Sequence, residues 1–309
     1  MEISSISVSM SEPQPSSSDR LRAAIVLPVG LAAMSLASIF IRFCDAPPLV
    51  IAAYRLTLAT LILLMGTFPQ TLREFRRLTR KEILPSLGAG LFLCFHFAFW
   101  ISSLQYTSVA SSVIFVTTNP IFVALASAFI LRERISLVLI FSILIAVVGG
   151  MIIGWGDWGR GRDPLYGDFL SLLGAVMATG YLLVGRRVRR KVSLPTYITL
   201  VYGVAAVSLI LLALLNGDSL FGYPPKDYLL FLLLAVGPQL IGHSSLNWAL
   251  RFFSAALVAV FTLGEPIGAS LLAYLILGEN PGIGLLWGGA LVLLGIYLSV
   301  REEQKLGKG

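Results

Sequence analysis

Apolar residues in this chain come in unbroken runs of about twenty, and polar residues gather between them. Ten such runs can be traced, at 23–42, 49–68, 84–104, 108–131, 135–155, 167–185, 196–215, 228–250, 254–277 and 281–300. About 20 residues of α-helix cross a hydrocarbon core of roughly 30 Å, so each run predicts one membrane-spanning helix. The runs are continuous rather than alternating, which excludes a barrel of strands. Short connections carrying Pro or Gly, such as "DAPP" and "ENPG", separate them. The expected fold is an all-α integral membrane protein with ten transmembrane helices.

Charge fixes an expected orientation. Loops on one side of the ten runs hold eighteen Lys and Arg, and loops on the other side hold four, namely Arg42, Arg160, Arg162 and Lys226. Positive residues stay on the cytoplasmic side of a bilayer, so both termini are expected there. Only 13% of the 309 residues are charged, against about 25% in a soluble domain. The formal charge of +7 resides in loops between membrane runs, which argues against a nucleic-acid partner. Residues 1–22 read as a disordered cytoplasmic tail and 301–309 as a second tail. The first apolar run reads as an uncleaved start of insertion rather than a signal peptide. Two cysteines, Cys44 and Cys94, make no disulfide framework. No GxxxxGK[ST] segment is present, so a nucleotide-driven pump is not expected. Neither a metal nor a cofactor is expected.

The chain repeats itself. "LQYTSVASSVIFVTTNPIFVALASAFILRE" (104–133) aligns without gaps with "LRFFSAALVAVFTLGEPIGASLLAYLILGE" (250–279), at an offset of 146. Ser108 meets Ser254, Pro120 meets Pro266, and Gly149 meets Gly295 one span later, while Gly30 and Gly174 align at a slightly different offset. This divides the chain into a five-helix repeat at 23–155 and a second at 167–300. Five is odd, so the second copy enters the membrane inverted. Inverted repeats place a substrate site near the midplane, where the two halves meet.

Polar groups at that depth are costly and mark functional candidates. Asn119-Pro120 and Glu265-Pro266 stand at equivalent midpoints of spans four and nine. Proline removes an amide donor and breaks the helix there. The breaks read equally as packing kinks, whereas Glu265 reads as a substrate and proton-coupling group. The only two histidines, His96 and His243, lie 147 positions apart in spans three and eight. Trp100 and Asn247 each follow a histidine by four, on the same helix face. Cavity lining and helix-to-helix hydrogen bonding both account for these histidines. Arg55 in span two can snorkel outward or hold an anionic group. Tyr54, Tyr202, Phe115 and Gln239 complete the candidate substrate-binding set, with lipid-belt or packing roles as the alternative for the aromatics.

"NPIFVALASAFILRERIS", "EPIGASLLAYLILGENPG" and "YRLTLATLILL", in this order and duplicated, resemble the drug/metabolite transporter superfamily, specifically its EamA-like family. The resemblance covers about residues 23–300. It implies a secondary carrier of small metabolites, often an exporter of amino acids or related compounds, with a cavity formed mainly by spans three, four, eight and nine. It also implies roles for Arg55 and for the glutamates that end spans four and nine, Glu133 and Glu279. The expectation is an inner-membrane transporter working by alternating access, not an enzyme. The alternative is an intramembrane enzyme acting on a lipid or isoprenoid. Substrate, direction and coupling ion are open, and so is the choice between monomer and homodimer.

Overall fold

The structure is a computed structural model that describes residues 16–129, 135–155, 159–280 and 282–306. No strand occurs among them. Ten helices are long and apolar enough to span a membrane: α1 Ser18–Phe43, α2 Pro48–Phe75, α3 Arg80–Ser103, α4 Val109–Phe129, α5 Leu137–Gly154, α6 Pro164–Arg189, α7 Leu194–Leu215, α8 Pro225–Ala249, α9 Ala255–Leu277 and α10 Gly284–Lys305. They match the ten apolar runs in order, and several extend beyond them. Residues 17–22, which the sequence assigns to the tail, are helical. Ser16 accepts from the Asp19 amide and the Asp19 carboxylate accepts from the Ser16 amide, so a capping box starts the helix six residues before the apolar run.

Local chemistry explains most starts. Pro48, Pro164 and Pro225 open α2, α6 and α8, where a missing amide costs nothing. Ser108 and Ser254, equivalent in the repeat, cap α4 and α9 by accepting from the amides of Ser111 and Leu257 at 3.1 and 3.2 Å. α9 ends in a π-helical turn at Ala273–Leu277, and Gly278 then reverses the chain with φ 72°.

The packing has the form a two-fold axis requires. α3 packs on α6 while α8 packs on α1; α2 packs on α7 and α5 on α10. At the α5–α10 contact, a Cβ added to Gly149 would lie 2.6 Å from the Gly288 carbonyl oxygen. One added to Gly295 would lie 2.6 Å from the Ser142 carbonyl oxygen. Moving Gly149 up by 146 and Gly288 down by 146 turns the first pair into the second, so one contact occurs twice, with the helices antiparallel. Lipid supplies no hydrophobic drive between helices, and such bare backbone approach is how membrane helices gain van der Waals contact. α4 and α9 cross at the centre, the first half of each against the second half of the other. They are the most enclosed spans, 67% and 72% buried, against 28% for α10.

Candidate functional site

Both central helices break at their midpoints in the same way. In α4, the Thr118 amide bonds the Phe115 carbonyl and the Ile121 amide bonds the Thr118 carbonyl. In α9, the Gly264 amide bonds the Phe261 carbonyl and the Ile267 amide bonds the Gly264 carbonyl. These are the same two tightened bonds, 146 residues apart. Pro120 and Pro266 cannot continue the α-helical ladder, so new half-helices start at Asn119 and Glu265. Threonine hydroxyls occupy carbonyls beside the breaks: Thr117 bonds Val113, Thr118 bonds Phe115, and Thr262 bonds Ala259, each at 2.7 Å. The Thr262 hydroxyl shares its one proton with Asn119 Oδ1, 3.0 Å away, joining the two midpoints.

A cavity of about 40 Å³ lies against this crossing. One water needs at least about 10–15 Å³, so it has room for roughly three waters and none for an amino-acid-sized solute. Its walls come from α1, α2 and α6 as well as from α3, α4, α8 and α9. Six of the eleven sequence candidates line it: Arg55, His96, Trp100, Asn119, His243 and Glu265.

The two histidines meet there, with ring centroids 6.1 Å apart. His96 lies parallel to the Trp100 indole, centroids 6.2 Å apart, and its Nδ1 sits 2.9 Å from the Gly174 carbonyl oxygen. His243 stands edge-on to Phe97, and its Nδ1 is buried without a hydrogen-bond partner. Arg55 is 1% exposed. Its Nε donates to Gln239 Oε1 at 2.8 Å, its guanidinium carbon lies 4.2 Å from the Phe97 ring centroid, and its Nη1 has no partner. The snorkelling alternative for Arg55 therefore does not hold.

Three candidates stand one layer behind the cavity. Gln239 holds Arg55. Asn247 Nδ2 donates to the Tyr181 hydroxyl, to the Tyr202 hydroxyl at 3.3 Å and to the His243 carbonyl at 2.9 Å. The Tyr202 hydroxyl also lies 3.2 Å from Ser244 Oγ. Gln239 and His243 both fall in the π-helical stretch Ala235–His243, where Pro238 interrupts α8. Such stretches recur at functional sites.

Tyr54 and Phe115 do not line the cavity. Each directly precedes a lining residue, Arg55 or Val116, and one residue turns a helix by about 100°. Tyr54 instead bonds the Leu220 carbonyl at 2.9 Å and stacks on Phe231, centroids 4.6 Å apart, near the α7–α8 connection. Tyr181, which the sequence also offers as a possible cavity wall, lines the cavity, and so does Thr262, which was not among the candidates. Their signal was present, since Thr262 lies three residues before Glu265 and Tyr181 seven after Gly174. Of the paired glutamates, Glu279 follows α9, and Glu133 lies outside the described residues.

Residues 21–155 and 165–301 each match the EamA-like transporter family. The chain belongs to that family. A relative from Bacillus subtilis (strain 168), "Uncharacterized transporter YxxF", is 20% identical over 295 residues, covering 95% of this chain and 94% of its own. An "Uncharacterized transporter" from Archaeoglobus fulgidus is 26% identical over 271 residues, 85% of this chain and 91% of its own. A solved crystal structure of a protein superimposes with a TM-score of 0.72 at 19% identity, over 93% of this chain and 99% of that one. The EamA-like fold is thus shared at low identity.

Proposed function

We propose that this EamA-like transporter is a secondary carrier of a small organic metabolite, an amino acid or related compound. It exports that solute across the cell's inner membrane by alternating access, with both termini in the cytoplasm. The observation that carries the reading is the pair of broken midpoints. Two antiparallel copies of one helix break face each other at half depth, and buried polar side chains from six helices converge on the cavity beside them. A two-fold relation between halves makes two inward- and outward-facing arrangements close in energy, which a carrier needs and a rigid scaffold does not. The cavity is too small for a solute, so transport requires α4 and α9 to part from their neighbours. The asymmetry of eighteen cations to four supports the orientation. We assign proton coupling to Glu265, the ionisable partner of Asn119 in the repeat.

The test is counterflow. Purified protein in liposomes preloaded with one metabolite should accumulate the labelled form of the same compound, and empty liposomes should not. An imposed pH gradient should alter the rate of the native protein. Glu265→Gln should keep counterflow and lose that response. A native protein that exchanges nothing across a broad metabolite panel removes the transporter reading. An unchanged gradient response in Glu265→Gln removes the coupling assignment alone.

A further inference from the structure

We propose that the cavity recognises its solute by an anionic group, a carboxylate, which Arg55 anchors together with Trp100 and His243. The proposal rests on the transporter reading and narrows it to a class of solute. Buried charges in proteins are paired, because an uncompensated one is expensive. Arg55 is buried, and its direct contacts are neutral: the Gln239 amide oxygen and the Phe97 ring face. A carboxylate is present on the same cavity wall in Glu265, yet Arg55 forms no ion pair among the described residues. The cation is therefore held in place by groups that orient it and leave its charge unspent. Gln239 takes Nε, Phe97 takes one face of the guanidinium, and Nη1 has no partner.

Two further unpartnered nitrogens belong to cavity-lining side chains. Trp100 Nε1 on α3 and His243 Nδ1 on α8 are buried without hydrogen bonds. A buried polar atom without a partner costs about 1–3 kcal/mol, so three on side chains around one cavity call for an explanation. Arg55, Trp100 and His243 come from three different helices, and the indole N–H can only donate. A carboxylate offers two oxygens with about four acceptor positions, and it suits a planar guanidinium better than any neutral group does. It would satisfy the guanidinium and indole N–H groups, and His243 Nδ1 in the tautomer that carries its proton there, and would neutralise Arg55 at once. Glu265 stands in the same cavity to meet an amine or hydroxyl elsewhere on the solute. A solute whose only charge is positive would leave the three nitrogens unmet and be repelled by Arg55. The cavity is thus built for carboxylates, zwitterionic ones included, and against organic cations.

Thermal unfolding of the purified full-length protein in detergent tests this with probes of one shape: L-leucine, 4-methylpentanoate, L-leucinamide and isoamylamine, together with shorter and longer carboxylates. Carboxylates should raise the unfolding midpoint, and the amide and amine should not. The affinity for carboxylate should fall at least about tenfold in Arg55→Gln and partly recover in Arg55→Lys. Because Arg55 is buried, the gentler Trp100→Phe keeps the argument testable if Arg55→Gln does not fold. It preserves the ring's place, removes one donor, and should weaken carboxylate binding about three- to tenfold. Equal stabilisation by isoamylamine, no shift with any carboxylate, or a carboxylate preference untouched in Trp100→Phe and Arg55→Lys would overturn the proposal. Counterflow of an amine in the liposome assay would overturn it while leaving the transporter reading standing.

Discussion

Asn119 and Glu265 occupy one position of the repeat, yet they meet different chemistry. Both line the cavity, but Asn119 Oδ1 accepts from Thr262 across the crossing, whereas Glu265 brings an ionisable group to the wall. The Thr262–Asn119 bond is the direct polar tie between the two breaks. Thr262→Val keeps the shape and removes the donor, leaving Asn119 Oδ1 buried and unmet. The expected loss is about 0.5–2 kcal/mol, spanning membrane hydrogen-bond values and buried-polar costs. Thr262→Ser should be close to native, with both variants read as thermal midpoints in detergent. At this scale the sequence was informative wherever cost was intrinsic. A histidine, arginine or glutamate inside an apolar run is expensive whatever surrounds it, so Arg55, His96, His243 and Glu265 could be picked out unaided. Direction was less legible. Tyr54 and Phe115 carry no such cost, and only neighbouring helices decide which way their rings turn. The use of Phe97 as a platform for Arg55 was hidden for the same reason, since it depends on α2 and α3 being adjacent.

Helices were legible in number and order, because runs of about twenty apolar residues leave little freedom. Their ends were less so. α2 runs on to Phe75, past Pro69, and α6 runs to Arg189, beyond their apolar stretches. Helical hydrogen bonding does not stop at the bilayer surface, and Arg189 is itself buried there, with Nε donating to the Asn247 carbonyl at 2.9 Å. The π-helical stretch in α8 left no periodic trace beyond Pro238. Gly149 and Gly295, equivalent in the repeat, stand at the close α5–α10 contact, and the structure shows why they are needed. Any side chain at Gly149 or Gly295 runs into backbone rather than a movable side chain. Gly149→Val and Gly295→Val should each destabilise by about 1–3 kcal/mol, the usual cost of overpacking. The two losses should also be similar, because the contacts are copies. A loss at one position and none at the other would mean that the α5–α10 seam lacks the two-fold relation described here.

For the whole molecule, the duplicated architecture makes a demand on the two mouths of the cavity. Ten spans bring both chain ends to one face. At the opposite face, Arg42 near the end of α1 donates to the Thr107 carbonyl at 2.6 Å, just past α3. A hollow of about 140 Å³ lies beside it, lined in part by Cys44, whose thiol burial pushes up to about 12. At the face of the termini, Arg186 near the end of α6 donates to the Leu250 carbonyl at 3.0 Å, just past α8. The two arginines are 144 residues apart, the spacing of Gly30 and Gly174, so they are counterparts. Arg186 caps the carbonyl end of α8, where a cation is favoured, and Arg42 ties the end of α1 to the connection between α3 and α4. With both ties made, both mouths are held and the cavity stays small. Releasing one tie should favour opening at that face alone. A cysteine placed at Ala178 on the cavity wall, in a background without Cys44 and Cys94, gives the readout. In oriented vesicles, Arg42→Ala should speed its alkylation from the face opposite the termini, and Arg186→Ala from the face that carries them. If both variants increase labelling from the same face, the arginines are not counterparts in gating, whatever their spacing.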